Sequence, residues 1–207
     1  MLVHFVRHGE SYANVQHVIT NRGAGPGLTE QGRRQAQALA CRLEGSKTAR
    51  LLSSPLARAR QTAKLLSSVL DVPAEVAPEL REFDCGELEG RSNAEAWTEH
   101  MALVRGWLLD GYGERRIAGG ESLLDVRNRF VPFVTAVCAS TLPGQGDIVF
   151  VGHAGLYAAG LPYQISQIDR AFAWSHPIGK AGHVLCEWRD AGLRGLRWEA
   201  IVLGEGP

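Results

Sequence analysis

The sequence predicts an α/β fold, a three-layer α/β/α sandwich with a mostly parallel central sheet. Short apolar runs rich in valine alternate along the chain with longer segments whose apolar residues recur at helical spacing. Two further apolar runs, HVLCEW and LRWEAIV, follow each other closely near the end and favour a closing hairpin. Because no repeat, low-complexity tract or long linker interrupts the 207 residues, we expect a single domain over 1–207.

The first half of the chain alternates strands and helices. LVHFV, at Leu2 to Val6, is typical of a buried strand. A helix is predicted over Thr29 to Glu44, whose first residue suits an N-cap. ARLLSS, at 49–54, predicts a second strand. The next helix runs from Pro55 to Leu70, and Ser54 could cap it.

The second half repeats this alternation. A helix is predicted over Ser92 to Leu109, and another begins near Glu121, with a kink expected at Pro132. GDIVFV, at 146–151, predicts a strand that ends, like the first, in histidine and glycine. The two closing strands are expected to turn at 190–192.

Composition narrows the partners. Lys+Arg and Asp+Glu balance at 22 each, so no global positive charge attracts nucleic acid or anionic lipid. The four cysteines are far apart and form no C-x-x-C motif, which argues against a zinc ribbon or a disulfide framework. No apolar run has transmembrane length and no signal-peptide pattern opens the chain. We therefore expect a soluble, cytoplasmic protein without nucleic-acid or membrane partners.

Three predicted strands end in polar side chains. The first strand leads into Arg7 and His8, the second leads to Arg58, and the last ends at His153. Ligands of open α/β sheets bind outside the carboxyl ends of the strands. Four potential cations in one crevice would repel one another unless an anion joined them. A phosphoryl group is the anion that matches the planar fork of arginine.

Six ordered motifs strengthen this hypothesis. They are RHGES-x-x-N at 7–14, LT-x-x-G-x-x-QA at 28–36, SSPL-x-R-x-x-QTA at 53–63, L-x-E-x-x-x-G-x-x-EG at 80–90, GGES at 119–122 and GHAG at 152–155. In this series the chain resembles the histidine phosphatase superfamily, also called the phosphoglycerate mutase-like family. The resemblance covers roughly residues 1 to 160 and implies that family's fold.

The resemblance also implies roles for individual residues. His8 would be the nucleophile that forms a phosphohistidine, and Glu82 would protonate the leaving oxygen and then deprotonate the attacking water. The phosphoryl oxygens would be held by Arg7, Arg58, His153, Asn14 and the backbone N–H of Ala154. A neutral imidazole is a competent nucleophile near pH 7, and arginines supply charge stabilisation to phosphoryl transfer, so this chemistry needs no cofactor.

Several side chains keep two interpretations. Ser11 could cap the turn after the first strand or touch substrate. Arg115 and Arg116 could be a solvated pair or could meet a second anionic group of the substrate. His4 and His8 lie four residues apart, but no third ligand completes a site, so no metal is expected.

The resemblance leaves the reaction open among three functions. A phosphatase acting on a small phosphorylated metabolite is favoured, because Glu82 is followed by Phe-Asp-Cys-Gly where cofactor-dependent phosphoglycerate mutases typically carry E-R-H-Y-G. Mutase is the alternative. A non-catalytic phospho-ligand binder is the third, although no motif residue has been lost. We expect a lid or specificity segment at 92–120; the sequence leaves the substrate and the oligomeric state open.

Overall fold

The computed structural model describes residues 1–142 and 144–204. In this part of the chain seven strands, β1 to β7, span Leu2–Arg7, Thr48–Ser53, Ala74–Val76, Asp147–Gly152, His183–Arg189, Gly192–Trp198 and Ile201–Val202. Seven α-helices, α1 to α7, span Tyr12–Gln16, Glu30–Leu43, Ala57–Leu70, Ala94–Leu108, Leu123–Ser140, Ala154–Gly160 and Arg170–Ser175. Residues 143 and 205–207 of the expected domain lie outside the described part.

The strands form one mixed sheet in the order β3-β2-β4-β1-β5-β6-β7. The first four strands in this order are parallel to one another, and β5, β6 and β7 continue the sheet antiparallel. The sheet is therefore parallel in its core, as the sequence predicts. Its central strands β2, β4 and β1 end side by side: Arg7 pairs with Gly152, and Ser53 pairs with Val151.

Both faces of the sheet are covered, because alternate side chains of a strand point to opposite faces. Phe5 joins the core beneath α5 and α6, whereas Val6 joins the core beneath α2 and α3. Phe150 and Val151 of β4 divide between the same two cores. Each fully buried side chain of this kind contributes roughly 1.5–3 kcal/mol. The three-layer α/β/α sandwich is confirmed.

Two predicted elements differ from the sequence expectation. LRWEAIV is not one strand: β6 ends at Trp198, and Glu199 has a φ of 53°, which a strand cannot continue through. Ser54 does not cap the helix after it, since α3 begins at Ala57 with no side-chain cap. Pro132 lies inside α5, which continues from Leu123 to Ser140. No sequence prediction covers the short elements α1, β3 and α6, which span five, three and seven residues.

No helix among the described residues is long and apolar enough to cross a membrane.

Two glycines let α2 pack directly on the turn that follows β1. A Cβ atom on Gly9 would overlap the carbonyl oxygen of Gly32, and a Cβ atom on Gly32 would overlap the carbonyl oxygen of Glu10. Hydrogen bonds hold the contact: the Thr29 N–H donates to Glu10 O at 3.0 Å, and the Gly9 N–H donates to Thr62 Oγ1 at 3.2 Å. The backbone around His8 is thereby held from both sides.

We expect Gly32→Ala to destabilise the protein by about 1–3 kcal/mol. Alanine normally stabilises a helix interior by roughly 1 kcal/mol, but here the overlap with Glu10 O forces two backbone segments apart. Urea unfolding followed by far-UV circular dichroism measures the change. Gly192→Ala is the control, because a Cβ there has its nearest neighbour at 4.0 Å. Equal free energies of unfolding for the two variants would contradict the steric argument.

Candidate active site

A cavity of about 320 Å³ opens where β1 and β4 end. Its polar lining includes Arg7, His8, Asn14, Thr20, Asn21, Arg58, Glu82 and His100, with the backbone of Ala154 and Gly155. The three strand ends singled out in the sequence do converge. His153 is fully buried behind His8 and does not itself line the cavity.

His8 is held as a neutral imidazole. Its Nδ1 lies 2.6 Å from the carbonyl oxygen of Gly9, and its Nε2 lies 3.1 Å from Nε of Arg58. A carbonyl only accepts and a guanidinium only donates, so these partners assign the proton to Nδ1 and the lone pair to Nε2. Burial, reinforced by Arg58 and Arg7, lowers the pKa of His8 well below its usual value. A nucleophilic lone pair is therefore available at neutral pH.

Arg58 extends from α3 and is fixed by three partners. Besides the Nε contact to His8, its Nη1 donates to the carbonyl oxygen of Thr20 at 2.8 Å and its Nη2 donates to Asn21 Oδ1 at 3.3 Å. Burial lowers its pKa to about 10, so it stays protonated near neutrality. The loop before α2 thus orients this guanidinium, a role of Thr20 and Asn21 that no motif in the sequence indicates.

Arg7 supplies a second guanidinium at the end of β1. Its Nη1 donates to the carbonyl oxygen of Ile178 at 2.7 Å, while its buried Nε has no hydrogen-bond partner. Burial lowers its pKa, and the nearby carboxylates of Glu82 and Glu199 oppose that shift. An N–H left without a partner in a cationic cavity is ready to meet an anion.

His153 stands edge-on to His8, with ring centroids 5.1 Å apart. Its Nε2 lies 2.7 Å from Ser54 Oγ, which orients the ring, and its buried Nδ1 has no partner. Ser54, expected as a helix cap, is a positioning residue for this imidazole instead. Burial, then Arg58 and His8, lowers the pKa of His153 well below its usual value.

The repulsion expected among four cations is relieved by deprotonation. Both imidazoles are neutral, so the net positive charge comes from the two guanidiniums. Two buried guanidiniums beside neutral imidazoles form a site for one multivalent anion.

Glu82 faces the same cavity from the loop between β3 and α4. Its Oε1 accepts the backbone N–H of Phe83 and its Oε2 accepts that of Gly155, both at 3.0 Å. Burial raises its pKa, outweighing these hydrogen bonds and the charge of Arg58. A Cβ on Gly155 would lie 2.5 Å from the Phe83 ring and 2.8 Å from Glu82 Oε1, so glycine is needed there. The site thus combines a neutral imidazole with a carboxyl group whose pKa is raised.

Three other predicted site residues lie outside the cavity lining. Ser11 is fully buried and caps α1, its Oγ accepting the Asn14 N–H at 3.3 Å, so capping is the correct alternative. Arg116 pairs with Asp125 at 3.0 Å. Arg115 accepts, through its carbonyl oxygen, the Trp107 indole N–H at 2.7 Å. The structure therefore does not bring these two arginines to the site; the roles given to Asn14 and Ala154 stay predictions.

The structure also places two further histidines. His4 lies against His183, Nδ1 to Nε2 at 3.0 Å, and does not line the cavity that holds His8. His100 lines that cavity. Its position one turn after Trp97 on α4 was the available signal, but periodicity alone does not say which face of α4 meets the ligand.

The known sequences that match this chain include one family model and relatives that share a single description. The family model described as the histidine phosphatase superfamily (branch 1) matches residues 3–201. A relative from Proteus mirabilis, described as a probable phosphoglycerate mutase, is 36% identical over 151 residues, which are 73% of this chain and 68% of the relative. A relative of the same description from Escherichia fergusonii is 35% identical over 61% of this chain and 58% of its own length.

Solved structures agree in fold. Mycobacterial glucosyl-3-phosphoglycerate phosphatase in complex with VO3 superposes with a TM-score of 0.82 at 27% identity, covering 97% of this chain and 99% of its own. The α-ribazole phosphatase from Shigella flexneri has a TM-score of 0.78 and covers 100% of both chains. Its 22% identity supports the fold alone. With the family model spanning nearly all of the sequence, this chain belongs to branch 1 of the histidine phosphatase superfamily.

Proposed function

We propose that the protein is a phosphomonoester hydrolase that acts through a phosphohistidine at His8 on a small phosphorylated metabolite. The observation that supports this most directly is the His8 imidazole, held neutral with its Nε2 lone pair beside Arg58 in a cavity that also holds Arg7. The phosphatase among the structural neighbours at 27% identity favours the same reaction.

The proposed reaction has two steps. In the first, the Arg58 Nε–H moves its hydrogen bond from His8 Nε2 to a phosphoryl oxygen, and the freed Nε2 lone pair attacks phosphorus. The bond from phosphorus to the ester oxygen breaks, and protonated Glu82 gives its proton to the leaving oxygen. In the second, Glu82 takes a proton from water, the water oxygen attacks phosphorus, and the N–P bond breaks. Inorganic phosphate leaves, and His8 and Glu82 return to their starting states.

The guanidiniums perform the electrostatic part of both steps. Charge in phosphoryl transfer is spread over the equatorial oxygens, and donors fixed beforehand stabilise it without reorganising. The hydrogen bonds of Arg58 to Thr20 and Asn21, and that of Arg7 to Ile178, fix the two donors before substrate arrives. This mechanism assigns no step to a metal ion or other cofactor.

Phosphoglycerate mutase is the second candidate, because the curated relatives carry that description. A mutase must return the phosphoryl group to another oxygen of the substrate before water reacts. It must also bind the substrate carboxylate, and the cations among the residues lining the cavity are Arg7 and Arg58. Interconversion of 2- and 3-phosphoglycerate without phosphate release would decide for the mutase.

Substituting His8 with alanine is expected to abolish phosphate release from p-nitrophenyl phosphate and covalent labelling by it, since no other group replaces the nucleophile. Phosphate release is measured with a chelator present, and labelling by mass spectrometry after quenching in alkaline denaturant, because acid hydrolyses the N–P bond of a phosphohistidine. The exposed His17 is the control position, as His17→Asn tolerates its φ of 52° and should retain full activity. Equal turnover by wild type and His8→Ala would refute the proposal. Tight phosphate binding without labelling of wild type would instead indicate a non-catalytic binder.

Glu82→Gln should lower kcat/KM for benzyl phosphate by about 10²–10⁴, because an alkoxide needs a proton to leave. The loss for p-nitrophenyl phosphate should be under about tenfold, since that phenolate leaves unaided. Because the pKa of Glu82 is raised above 4.5, the acid form persists above that pH. For the wild type, kcat/KM for benzyl phosphate divided by kcat/KM for p-nitrophenyl phosphate therefore falls as pH rises through the raised pKa of Glu82. Glu87→Gln, an exposed neighbour, is the control; equal losses on both esters would exclude Glu82 as the general acid.

Orthovanadate is expected to inhibit competitively, as VO3 occupies the 27%-identical neighbour and the two guanidiniums offer donors to its oxygens. Arg58→Gln should weaken inhibition about 10- to 100-fold, the worth of hydrogen bonds to a charged group. The inhibition constant is measured against p-nitrophenyl phosphate. Arg60→Gln, an exposed position on the same helix, should leave it unchanged; equal effects of the two variants would place the anion elsewhere.

A further inference from the structure

The cavity continues past the phosphoryl-binding end into an apolar end. Its walls there are formed chiefly by Val18, Phe83, Trp97, Met101, Val104 and Trp174. Three of these side chains come from one face of α4, and Trp174 comes from α7, which packs against α4. Met101 keeps 47% of its surface exposed, although it lies at a ligand cavity. Apolar surface left open beside a reactive site calls for an apolar ligand group.

The aromatic wall is rigid. The Trp97 indole N–H donates to the carbonyl oxygen of His17 at 2.6 Å, and its ring meets the His100 ring edge-on at 5.0 Å. His100 in turn stacks on Phe83 at 5.4 Å, and Phe83 packs edge-on against buried Trp107 at 4.9 Å. Rings held in this way offer a preformed flat surface to a planar ligand group.

Cationic partners for a second anionic group are missing from the described lining. The cations of the described lining are Arg7 and Arg58, and the proposed mechanism uses both to hold the phosphoryl group. His100 contributes no charge, because burial lowers its pKa to about 4. Glu82, the acidic group of the lining, offers no positive charge to a carboxylate. An unpaired carboxylate in such a cavity is costly, so a charged leaving group is disfavoured.

We propose that the leaving group of the substrate is an uncharged, mainly apolar alcohol or phenol, with an aromatic ring packed against Trp97 and its neighbours. This inference rests on the proposed phosphohydrolase function and names its substrate class. It assigns the specificity role expected for 92–120 to the α4 part of that segment. The inference sets the protein apart from an enzyme that hydrolyses phosphoglycerates, because the leaving alcohol of a phosphoglycerate carries a carboxylate.

The first test compares kcat/KM for phenyl phosphate with those for 3- and 4-carboxyphenyl phosphate. A carboxylate should reduce kcat/KM by about tenfold or more, because nothing pairs with it in the apolar end. The uncharged 4-carbamoylphenyl phosphate is as bulky as the 4-carboxy ester and should lose clearly less. Equal losses of kcat/KM for the 4-carboxy and 4-carbamoyl esters would overturn the claim that the site excludes charge. An undiminished kcat/KM for either carboxyphenyl ester would overturn it as well.

The second test compares 2-phenylethyl phosphate with 2-hydroxyethyl phosphate, two alkyl esters. The phenyl ester should have the higher kcat/KM by about tenfold or more, since it buries a ring that the other lacks. Equal values, or preference for the hydroxyethyl ester, would overturn the claim of an apolar leaving group.

The third test moves the selectivity with one side chain. Met101→Lys places a cation in the wall and should shift the ratio of kcat/KM toward the carboxyphenyl esters by about threefold or more. Ala102→Lys adds the same charge at the next, exposed position of α4, outside the lining, and should leave the ratio unchanged. Equal shifts in both variants would mean that distant charge, not the wall, sets the preference.

The two levels of the proposal fail differently. If p-nitrophenyl phosphate is hydrolysed by wild type and not by His8→Ala, the phosphohydrolase function stands, and the ester comparisons alone judge the substrate class. If no ester is hydrolysed and His8 takes up no phosphate, the function itself fails and the substrate class falls with it.

Discussion

The hydrogen bond from Arg58 Nε to His8 Nε2, at 3.1 Å, is the interaction on which the rest of the site depends. A guanidinium can point an N–H at an imidazole nitrogen only if that nitrogen carries a lone pair. The bond therefore requires a neutral His8 with its proton on Nδ1, facing the Gly9 carbonyl. Burial makes the neutral form the stable one, and a buried His153 beside it must stay neutral for the same reason.

Close backbone packing makes this arrangement possible. Gly9 and Gly32 let the first turn of α2 touch the backbone beside His8, and Gly155 lets α6 approach Glu82. The glycines of the RHG, LT-x-x-G and GHAG motifs thus permit close backbone packing because they carry no side chain. They set where the His8 imidazole and the Glu82 carboxyl group lie, although none of them contributes a functional group.

The polar and apolar ends of the cavity are built from different structural elements. The polar end is built from strand ends, the loops next to them and Arg58 in the first turn of α3, so its geometry follows from the parallel sheet and the helix packed on it. The apolar end is built mainly from α4, which is tied to the core by Trp107 and carries Trp97, His100 and Met101 on its cavity side. On the proposed function, phosphoryl chemistry and leaving-group recognition can therefore vary independently, because different elements supply them.

The sequence by itself determined the sandwich and the strand ends that meet, because apolar periodicity is a local signal. Its ordered motifs, through the family resemblance, also named candidate site residues, and the structure places them together: Arg7, His8, Arg58, Glu82 and His153. It did not reveal Ser54 as the partner of His153, Thr20 and Asn21 as partners of Arg58, or the distance of Arg116 from the site. These contacts join residues 37 to 99 positions apart, or depend on the path of a loop. Only the tertiary structure decides these contacts, since periodicity predicts on which face of a helix or strand a residue lies and not which residues it contacts there.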